Sequence, residues 1–172
     1  MFVASRLPLR SLMANNEQDS GNRGGIFFSS YTLEVEDRSI VLINLHLDTP
    51  RPALQTMVDL RPDLSLTRRN FRRRQNEARR LNEFAEQFDT VILAGDFNLP
   101  VESPIYRRYF RRYRNAFSSR GTGWGKTKFT RWHGVRIDHV LATPDLRFHD
   151  VRTGPDFGSD HLPLSATIIV AQ

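Results

Sequence analysis

The 172-residue chain contains no cysteine, which excludes disulfide bonds and thiolate chemistry but does not settle the compartment. It also lacks an apolar run of about 18 residues, the length that a transmembrane helix needs. No signal-peptide pattern occurs at its start. The 39% hydrophobic share is that of a globular protein, and we expect residues 1–172 to form a single domain. None of these features predicts a location.

Lysine is scarce as well, because Lys126 and Lys128 are the only lysines among 25 basic residues. The net charge of +6 suits a polyanionic partner such as nucleic acid or a phospholipid headgroup. An arginine excess can also follow from genome base composition, so charge alone leaves nucleic-acid binding open. The arginines between residues 68 and 80 equally fit the solvated outer face of a helix, which is the simpler interpretation.

The hydrophobic pattern predicts strands and two helices alternating in a mixed α/β order. We expect strands at residues 2–9, 26–35, 39–47, 90–95, 128–132, 136–142, 147–152 and 162–170. Helices are predicted at 67–88 and 104–113, loops at 11–25 and 120–125, and an irregular segment at 50–66. One sheet should combine the strands at 26–35, 39–47, 90–95, 136–142 and 162–170, with both helices on its outer face.

Polar side chains follow apolar runs in four separate stretches, at residues 43–48, 92–98, 136–141 and 158–163. A sheet whose strands end in such residues holds them at its rim, where a substrate can reach them. We expect six of these side chains to converge there: His46, Asp96, Asn98, Asp138, Asp160 and His161. Carboxylates and imidazoles in this order suit Mg²⁺ or Mn²⁺ and a phosphate ester.

Residue chemistry suggests individual roles. Asp96 can orient a water or contact a metal, and Asn98 can donate to a developing oxyanion, although both also suit an Asx turn ending a strand. Asp160 is a natural oxygen ligand for Mg²⁺. His161 is the natural proton-transfer group, with Asp138 orienting its ring from about 2.6–3.2 Å, although a loop histidine beside proline is the simpler interpretation of His161 taken alone.

The other histidines carry weaker signals. His46 could transfer a proton, hold a phosphate, or simply pack against Pro50. We interpret His133, His139 and His149 as structural or exposed. The aromatic stripe between residues 106 and 113 is predicted to be core rather than a base-stacking platform.

Together the four stretches resemble the endonuclease/exonuclease/phosphatase superfamily, which has the fold of deoxyribonuclease I. The matching features are the strand-terminal His46, Gly-Asp-Phe-Asn at 95–98, Arg-Ile-Asp at 136–138 and Ser-Asp-His-x-Pro at 159–163. The resemblance implies part of a four-layered α/β/β/α sandwich. It also implies a metal-dependent phosphoester hydrolase, of phosphodiesterase or endonuclease type, that works by in-line attack of water.

On that resemblance, His161 and Asp138 are the proton-transfer pair, and Asp160 contacts the metal, Mg²⁺ or Mn²⁺. Asp96 and Asn98 position the water and the phosphate, and His46 holds the phosphate or assists proton transfer. DNA, RNA, phosphoinositide and sphingomyelin headgroups all remain open as substrates. No obligate protein partner is evident.

The chain departs from the family at its beginning, where members supply an early asparagine and a glutamate that is a main metal ligand. Glu17 and Asp19 lie in a predicted loop and do not replace that glutamate convincingly. We therefore expect an N-terminally truncated domain that is weakly active and prone to aggregate by itself. The alternative is a non-catalytic, arginine-rich nucleic-acid-binding module on the same fold.

Overall fold

The computed structural model describes residues 2–16, 26–129 and 133–170, with the backbone alone described at 13–16 and 26. The strands are β1 (Leu9–Asn16), β2 (Ile26–Val35), β3 (Arg38–His46), β4 (Val91–Asp96), β5 (Arg114–Asn115), β6 (Lys128–Phe129), β7 (Gly134–Val135), β8 (Asp138–Ala142), β9 (Leu146–Thr153) and β10 (Leu164–Val170). The helices are α1 (Arg51–Val58), α2 (Leu64–Ala85), α3 (Pro104–Tyr109) and α4 (Ala116–Arg120). Within these described ranges, no helix is long and apolar enough to cross a membrane.

Six strands form one sheet in the order β1-β2-β3-β4-β8-β5. The predicted hairpin of β2 and β3 is present and antiparallel. Strands β3 and β4 are parallel, so the chain between them must cross over the sheet, and α1 and α2 lie in that connection. Strand β8 then pairs antiparallel with β4. The carboxyl ends of β3 and β4 therefore lie beside the amino end of β8.

Side chains alternate between two hydrophobic clusters on opposite faces of this sheet, as the pleat requires. One cluster packs the sheet against α2 and α3, and its members include Val41, Ile43, Leu45, Leu81, Leu93 and Phe110. The other packs the sheet against the antiparallel pair of β9 and β10, and it includes Ile40, Ile92, Ala142, Leu146 and Phe148. The layers are thus helices, a six-stranded sheet and a two-stranded sheet, which is the predicted mixed α/β class.

Helix α2 matches the predicted helix but begins and ends three residues earlier. Its start is set by Asp63, whose side chain accepts a hydrogen bond from the backbone N–H of Leu66 at 2.9 Å, a standard N-cap. Ala78, Leu81 and Ala85 are buried at helical spacing. The helix buries one stripe and leaves most of its arginines exposed.

Two predictions for the first third of the chain were wrong. No strand is present at residues 2–8; the strand begins at Leu9 and runs to Asn16, inside the predicted loop. It is an outer strand of the sheet, and backbone pairing with β2 holds it although four of its eight residues are polar. The rest of that loop, residues 17–25, lies outside the described residues. The predicted irregular segment contains α1, because two of its three prolines, Pro50 and Pro52, lie at the helix start, where the missing N–H costs little. The third, Pro62, lies beyond the end of α1.

Further corrections concern the last third. The strand at 162–170 was predicted in the main sheet, but β10 pairs with β9 in a sheet of its own. Its alternating burial fits either sheet, so the pattern could not identify its partner. The predicted helix at 104–113 ends at Tyr109, and β6 covers only Lys128–Phe129, with residues 130–132 outside the described part.

Candidate active site

Three adjacent strands bring polar side chains into one row at the sheet rim. His46 at the end of β3 pairs in register with Asp96 at the end of β4. Asp96 in turn pairs with Asp138 at the start of β8. Residues directly paired across neighbouring strands project to the same side of a sheet. The row therefore follows from strand register alone, without any contribution from loops.

His161 joins this row from a loop before β10. Its ring Nδ1 lies 2.9 Å from Oδ2 and 3.1 Å from Oδ1 of Asp138, which confirms the predicted contact. Its Nε2 lies 3.9 Å from Oδ2 of Asp96. Because the Asp138 carboxylate can only accept, Nδ1 is the protonated nitrogen of the neutral ring, and the lone pair is on Nε2.

Asp96 lies at the centre of the site. Its Oδ2 is 3.6 Å from Nε2 of His46 and 3.2 Å from Nδ2 of Asn98. Burial is the main cause that raises the pKa of Asp96, and the nearby Asp138 carboxylate raises it further, whereas the backbone N–H of Asn98 opposes both. A positive charge between the two carboxylates would offset this like-charge repulsion.

Asn98 contributes to the support of the site. It has a positive φ of 50°, which asparagine tolerates better than most residues, and it is buried. Its N–H donates to Oδ1 of Asp96 at 2.8 Å, forming the Asx turn, and its side-chain amide donates to the carbonyl of Leu47 at 2.8 Å. Asn98 thus holds the Asp96 carboxylate and the end of β3 together.

Gly95 shapes the same turn. Its φ is +142°, and a Cβ atom there would lie 2.0 Å from the carbonyl oxygen of Leu45. Only glycine permits this approach between β3 and β4. The Gly-Asp-Phe-Asn motif therefore positions Asp96 through a close backbone contact as well as through its side chains.

Asp160, predicted as the metal ligand, is placed differently. Its carboxylate is 68% exposed and lies 2.6 Å from Nζ of Lys128; the hydrogen bond and charge of Lys128 lower the pKa of Asp160. Over the described residues, the group that could hold a metal ion is Asp96, Asp138 and His161, one nitrogen or oxygen atom of each lying within 4.8 Å of the others. The structure therefore joins five of the six predicted residues in one chain of contacts, in which Asp96 lies near His46, Asn98 and His161, and His161 contacts Asp138. It links the sixth, Asp160, through Lys128.

Two residues of the site were missed in the sequence. Thr127 is fully buried, and its hydroxyl accepts from the N–H groups of Ile137 and Asp138 at 3.2 and 3.1 Å. Its carbonyl accepts from the N–H of Leu162 at 2.6 Å. Lys128 follows it in β6. A threonine in a glycine-rich loop carries no signal, but the rarity of lysine could have drawn attention to Lys128.

A polar network connects helix α2 to the rim. Arg73 donates to the Asp48 carboxylate at 2.8 Å through Nε, and Arg74 donates to the carbonyls of Asp48 and Asn98 at 3.1 and 2.6 Å. Glu77 accepts from the N–H of Asp48 at 2.7 Å. Burial lowers the pKa of Arg74. Two arginines of a helix face that was predicted to be solvated therefore contact residues that adjoin the site.

The remaining histidines behave as expected. His139 is buried, and its Nε2 lies 2.8 Å from the carbonyl of Leu99. Burial lowers its pKa to about 4, so the ring is neutral and structural. His133 and His149 are exposed. The stripe of Tyr106 and Phe110 is in the core.

A sequence model of the Endonuclease/Exonuclease/phosphatase family matches residues 1–161. The chain belongs to this family, which is generally hydrolytic, comprising nucleases and phosphatases, and is typically dependent on a divalent metal. A sequence search of curated proteins found no match.

Solved structures share the fold at low identity. A 3′ phosphatase from Neisseria, NExo, bound to a product DNA hairpin, is 18% identical with a TM-score of 0.65, over 96% of this chain and 73% of that one. Humanised TDP2 from D. rerio is 13% identical with a TM-score of 0.63, over 94% and 68%. A mannosyl-6-phosphatase from Bacteroides thetaiotaomicron is 16% identical with a TM-score of 0.54, over 83% and 55%. The chain thus spans about half to three quarters of these proteins.

The residues present fit a divalent cation of the kind the family uses. Two carboxylates and one imidazole lie within reach of a common point, and oxygen-rich sets suit Mg²⁺ and Mn²⁺. A cation would also offset the repulsion between Asp96 and Asp138. Because Asp138 is already bonded to His161, Asp96 is the carboxylate with more freedom to bind it.

Proposed function

We propose that this site hydrolyses phosphate esters by in-line attack of water, with Mg²⁺ or Mn²⁺ as cofactor. The observation that carries the proposal is the placement of His161 between two carboxylates, 2.9 Å from Asp138 and 3.9 Å from Asp96. One carboxylate orients the ring, and the other lies where a water or a phosphate oxygen would meet Nε2 of the ring.

His161 is the general base in this mechanism. Its Nε2 takes a proton from the attacking water while the new bond from oxygen to phosphorus forms and the bond to the leaving oxygen breaks. Asp138 keeps Nδ1 protonated and stabilises the imidazolium that results. The leaving oxygen is protonated by water or by His46.

Asp96 holds the cation and orients the water, with its own carboxylate fixed by Asn98. His46, 62% exposed beside Asp96, is free to contact a phosphate oxygen. A bound divalent cation supplies charge stabilisation for the phosphoryl oxygens and lowers the pKa of the attacking water.

We propose that this chain by itself binds the cation weakly and turns over slowly. Mg²⁺ prefers one or two carboxylates with near-octahedral geometry, and here Asp138 is shared with His161 while Asp160 is paired with Lys128. Activity should therefore rise with cation concentration without early saturation.

The alcohol to which the substrate phosphate is esterified belongs either to a nucleic acid or to a smaller molecule. One similar structure is a 3′ phosphatase bound to a DNA hairpin and another is a mannosyl-6-phosphatase, and the charge of +6 favours polyanions. Phospholipid headgroups are compatible with the same phosphate chemistry.

The experiment is hydrolysis of p-nitrophenyl phosphate and bis-p-nitrophenyl phosphate with Mg²⁺, with Mn²⁺ and with EDTA. We expect product release that requires the cation. A chain that binds a labelled oligonucleotide with steep salt dependence, yet releases no product with either cation, would instead be the non-catalytic binding module.

A further inference from the structure

Lys128 lies beside His161, and the mechanism above gives this lysine no role. Its Nζ lies 2.7 Å from Nε2 of His161 and 2.6 Å from Oδ2 of Asp160. The Lys128 side chain is only 16% exposed. This ammonium is therefore held between two residues of the Ser-Asp-His-x-Pro motif rather than lying free on the surface.

The backbone fixes Lys128 in that place. Lys128 pairs with Val135 in the two-stranded ladder of β6 and β7, and it forms an isolated antiparallel bridge with His161. The preceding residue, Thr127, binds the segments that carry Asp138 and His161. The lysine is thus attached to the same frame as the proton-transfer pair.

The contact with His161 has a chemical consequence. Since Nδ1 donates to Asp138, Nε2 is the one nitrogen on which the neutral ring can accept a proton. An ammonium group donating to that lone pair occupies it. The arrangement therefore describes a resting site, and Nζ must shift before His161 can accept a proton from water.

We propose that Lys128 binds the phosphate group of the substrate, and that transfer of its ammonium from His161 to a phosphoryl oxygen frees Nε2 for catalysis. A phosphate oxygen bearing negative charge is a stronger acceptor than a neutral imidazole nitrogen. Asp160 keeps its contact with the ammonium and acts as the holder of Lys128. This inference rests on the proposed phosphoesterase function and assigns Asp160 a role other than metal ligand.

The proposal also concerns the charge of the substrate. A phosphate monoester carries up to two negative charges, whereas a diester carries one, so an added ammonium attracts the monoester more strongly. Loss of Lys128 should therefore weaken the binding of a monoester substrate more than the binding of a diester.

The chain offers a matched control in its other lysine. Lys126 lies two residues away with its ammonium 5.8 Å from the centre of the Trp124 ring, and it has no place in the mechanism. Because the chain contains two lysines, protein labelled with ¹³C at lysine Cε gives two side-chain signals, assigned with Lys126→Arg.

The first experiment is titration of the metal-free, labelled protein with inorganic phosphate. We expect the Lys128 signal to shift and the Lys126 signal to stay. Lys128→Met should weaken phosphate binding by about tenfold or more, as expected for a charge-assisted hydrogen bond, while Lys126→Met retains it and Lys128→Arg keeps most of it. An unmoved Lys128 signal in the wild-type chain overturns the proposal, whether or not Lys128→Met folds.

The second experiment separates this inference from the proposed function. With Mg²⁺ present, Lys128→Met should raise KM for p-nitrophenyl phosphate more than for the diester. If the wild-type chain hydrolyses both esters and Lys128→Met changes neither KM nor phosphate binding, the lysine inference fails and the function stands. If phosphate binds through Lys128 but no ester is hydrolysed with either cation, the proposed function fails and the binding site stands.

Discussion

Asp138 and His161 are 23 residues apart in the chain, and Nδ1 of His161 lies 2.9 Å from Oδ2 of Asp138 in the structure. Thr127 makes this possible, because it binds the N–H of Asp138 through its hydroxyl and the N–H of Leu162 through its carbonyl. The segments that carry Asp138 and His161 are therefore both held by hydrogen bonds to Thr127, which fixes the contact between the two side chains.

Replacement of Asp138 by asparagine should lower turnover by about 10²-fold or more, the range seen when a catalytic imidazole loses its orienting carboxylate. The amide can donate to Nδ1 and so favour the wrong tautomer, and it does not stabilise the imidazolium. Steady-state rates with Mg²⁺ measure the effect, and thermal unfolding checks that the fold is intact. Near-normal turnover in a folded Asp138→Asn protein would remove this residue from its role.

The Thr127 frame predicts a stability effect. Thr127→Val removes the acceptor of two backbone N–H groups, and leaving such groups unsatisfied costs about 1–3 kcal/mol each. We expect urea unfolding to show a loss of about 2 kcal/mol or more, while Thr127→Ser stays close to wild type. Thr122, exposed in the same loop, is the control, and Thr122→Val should change little. Equal stability of the Thr127→Val and Thr127→Ser proteins would show that the Thr127 hydroxyl does not stabilise the fold.

Gly95→Ala should destabilise the chain more than Gly123→Ala. Both glycines have positive φ, +142° and +79°, but an added Cβ at Gly95 meets the Leu45 carbonyl at 2.0 Å, whereas at Gly123 nothing lies within 4 Å. Gly123→Ala should cost about 1–2 kcal/mol from backbone strain alone. Gly95→Ala adds a clash between β3 and β4, and its thermal midpoint should be clearly lower. The reverse order would contradict the close contact of the two strands.

The lowered pKa of the buried His139 ring predicts a loss of folding stability in acid. Its pKa of about 4 in the folded chain lies below the ordinary 6.5, so between these values the unfolded chain binds more protons. The contribution of the neutral His139 ring to the free energy of unfolding is complete above about pH 6.5. It falls as the pH drops toward 4, by about 3 kcal/mol.

Urea unfolding of the wild-type chain across pH 4–7 measures this effect. In a His139→Phe protein, the free energy of unfolding should fall less steeply as the pH drops. The exposed His149 is the control, because a His149→Gln protein should keep the wild-type dependence on pH. The same dependence of unfolding free energy on pH in wild type and His139→Phe would assign the acid sensitivity to other groups.

The sequence predicted the parts of the site that strand ends create. His46, Asp96 and Asp138 follow from apolar runs that stop in polar residues, and strand register brings them together. The contact between Asp138 and His161 was also predicted, from the chemistry that the two residues share. Lys128 and Thr127 were not, because their roles arise from a short ladder and an isolated bridge that leave no periodic pattern.

The fold, too, was predicted correctly in some elements and wrongly in others. The β2–β3 hairpin, α2 and β4 have strong patterns and lie where they were expected. β1 was missed because an edge strand is held by its backbone, and β10 was assigned to the wrong sheet because its alternating pattern fits either one. Asp160 as a metal ligand stays a prediction from its motif. Its contact with Lys128 joins two distant parts of the chain, so only the tertiary structure could show it.

The central claim is that His161 performs proton transfer in a cation-dependent phosphoester hydrolysis. The direct measurement is the rate of p-nitrophenyl phosphate hydrolysis at one fixed, high concentration of Mg²⁺ or Mn²⁺ for wild type, His161→Ala and the exposed-histidine control His149→Ala. We predict that wild type and His149→Ala share a rate that EDTA abolishes, and that His161→Ala is slower by about 10²–10⁴-fold. A folded His161→Ala protein with the wild-type rate, or a wild-type rate unaffected by EDTA, would contradict the account.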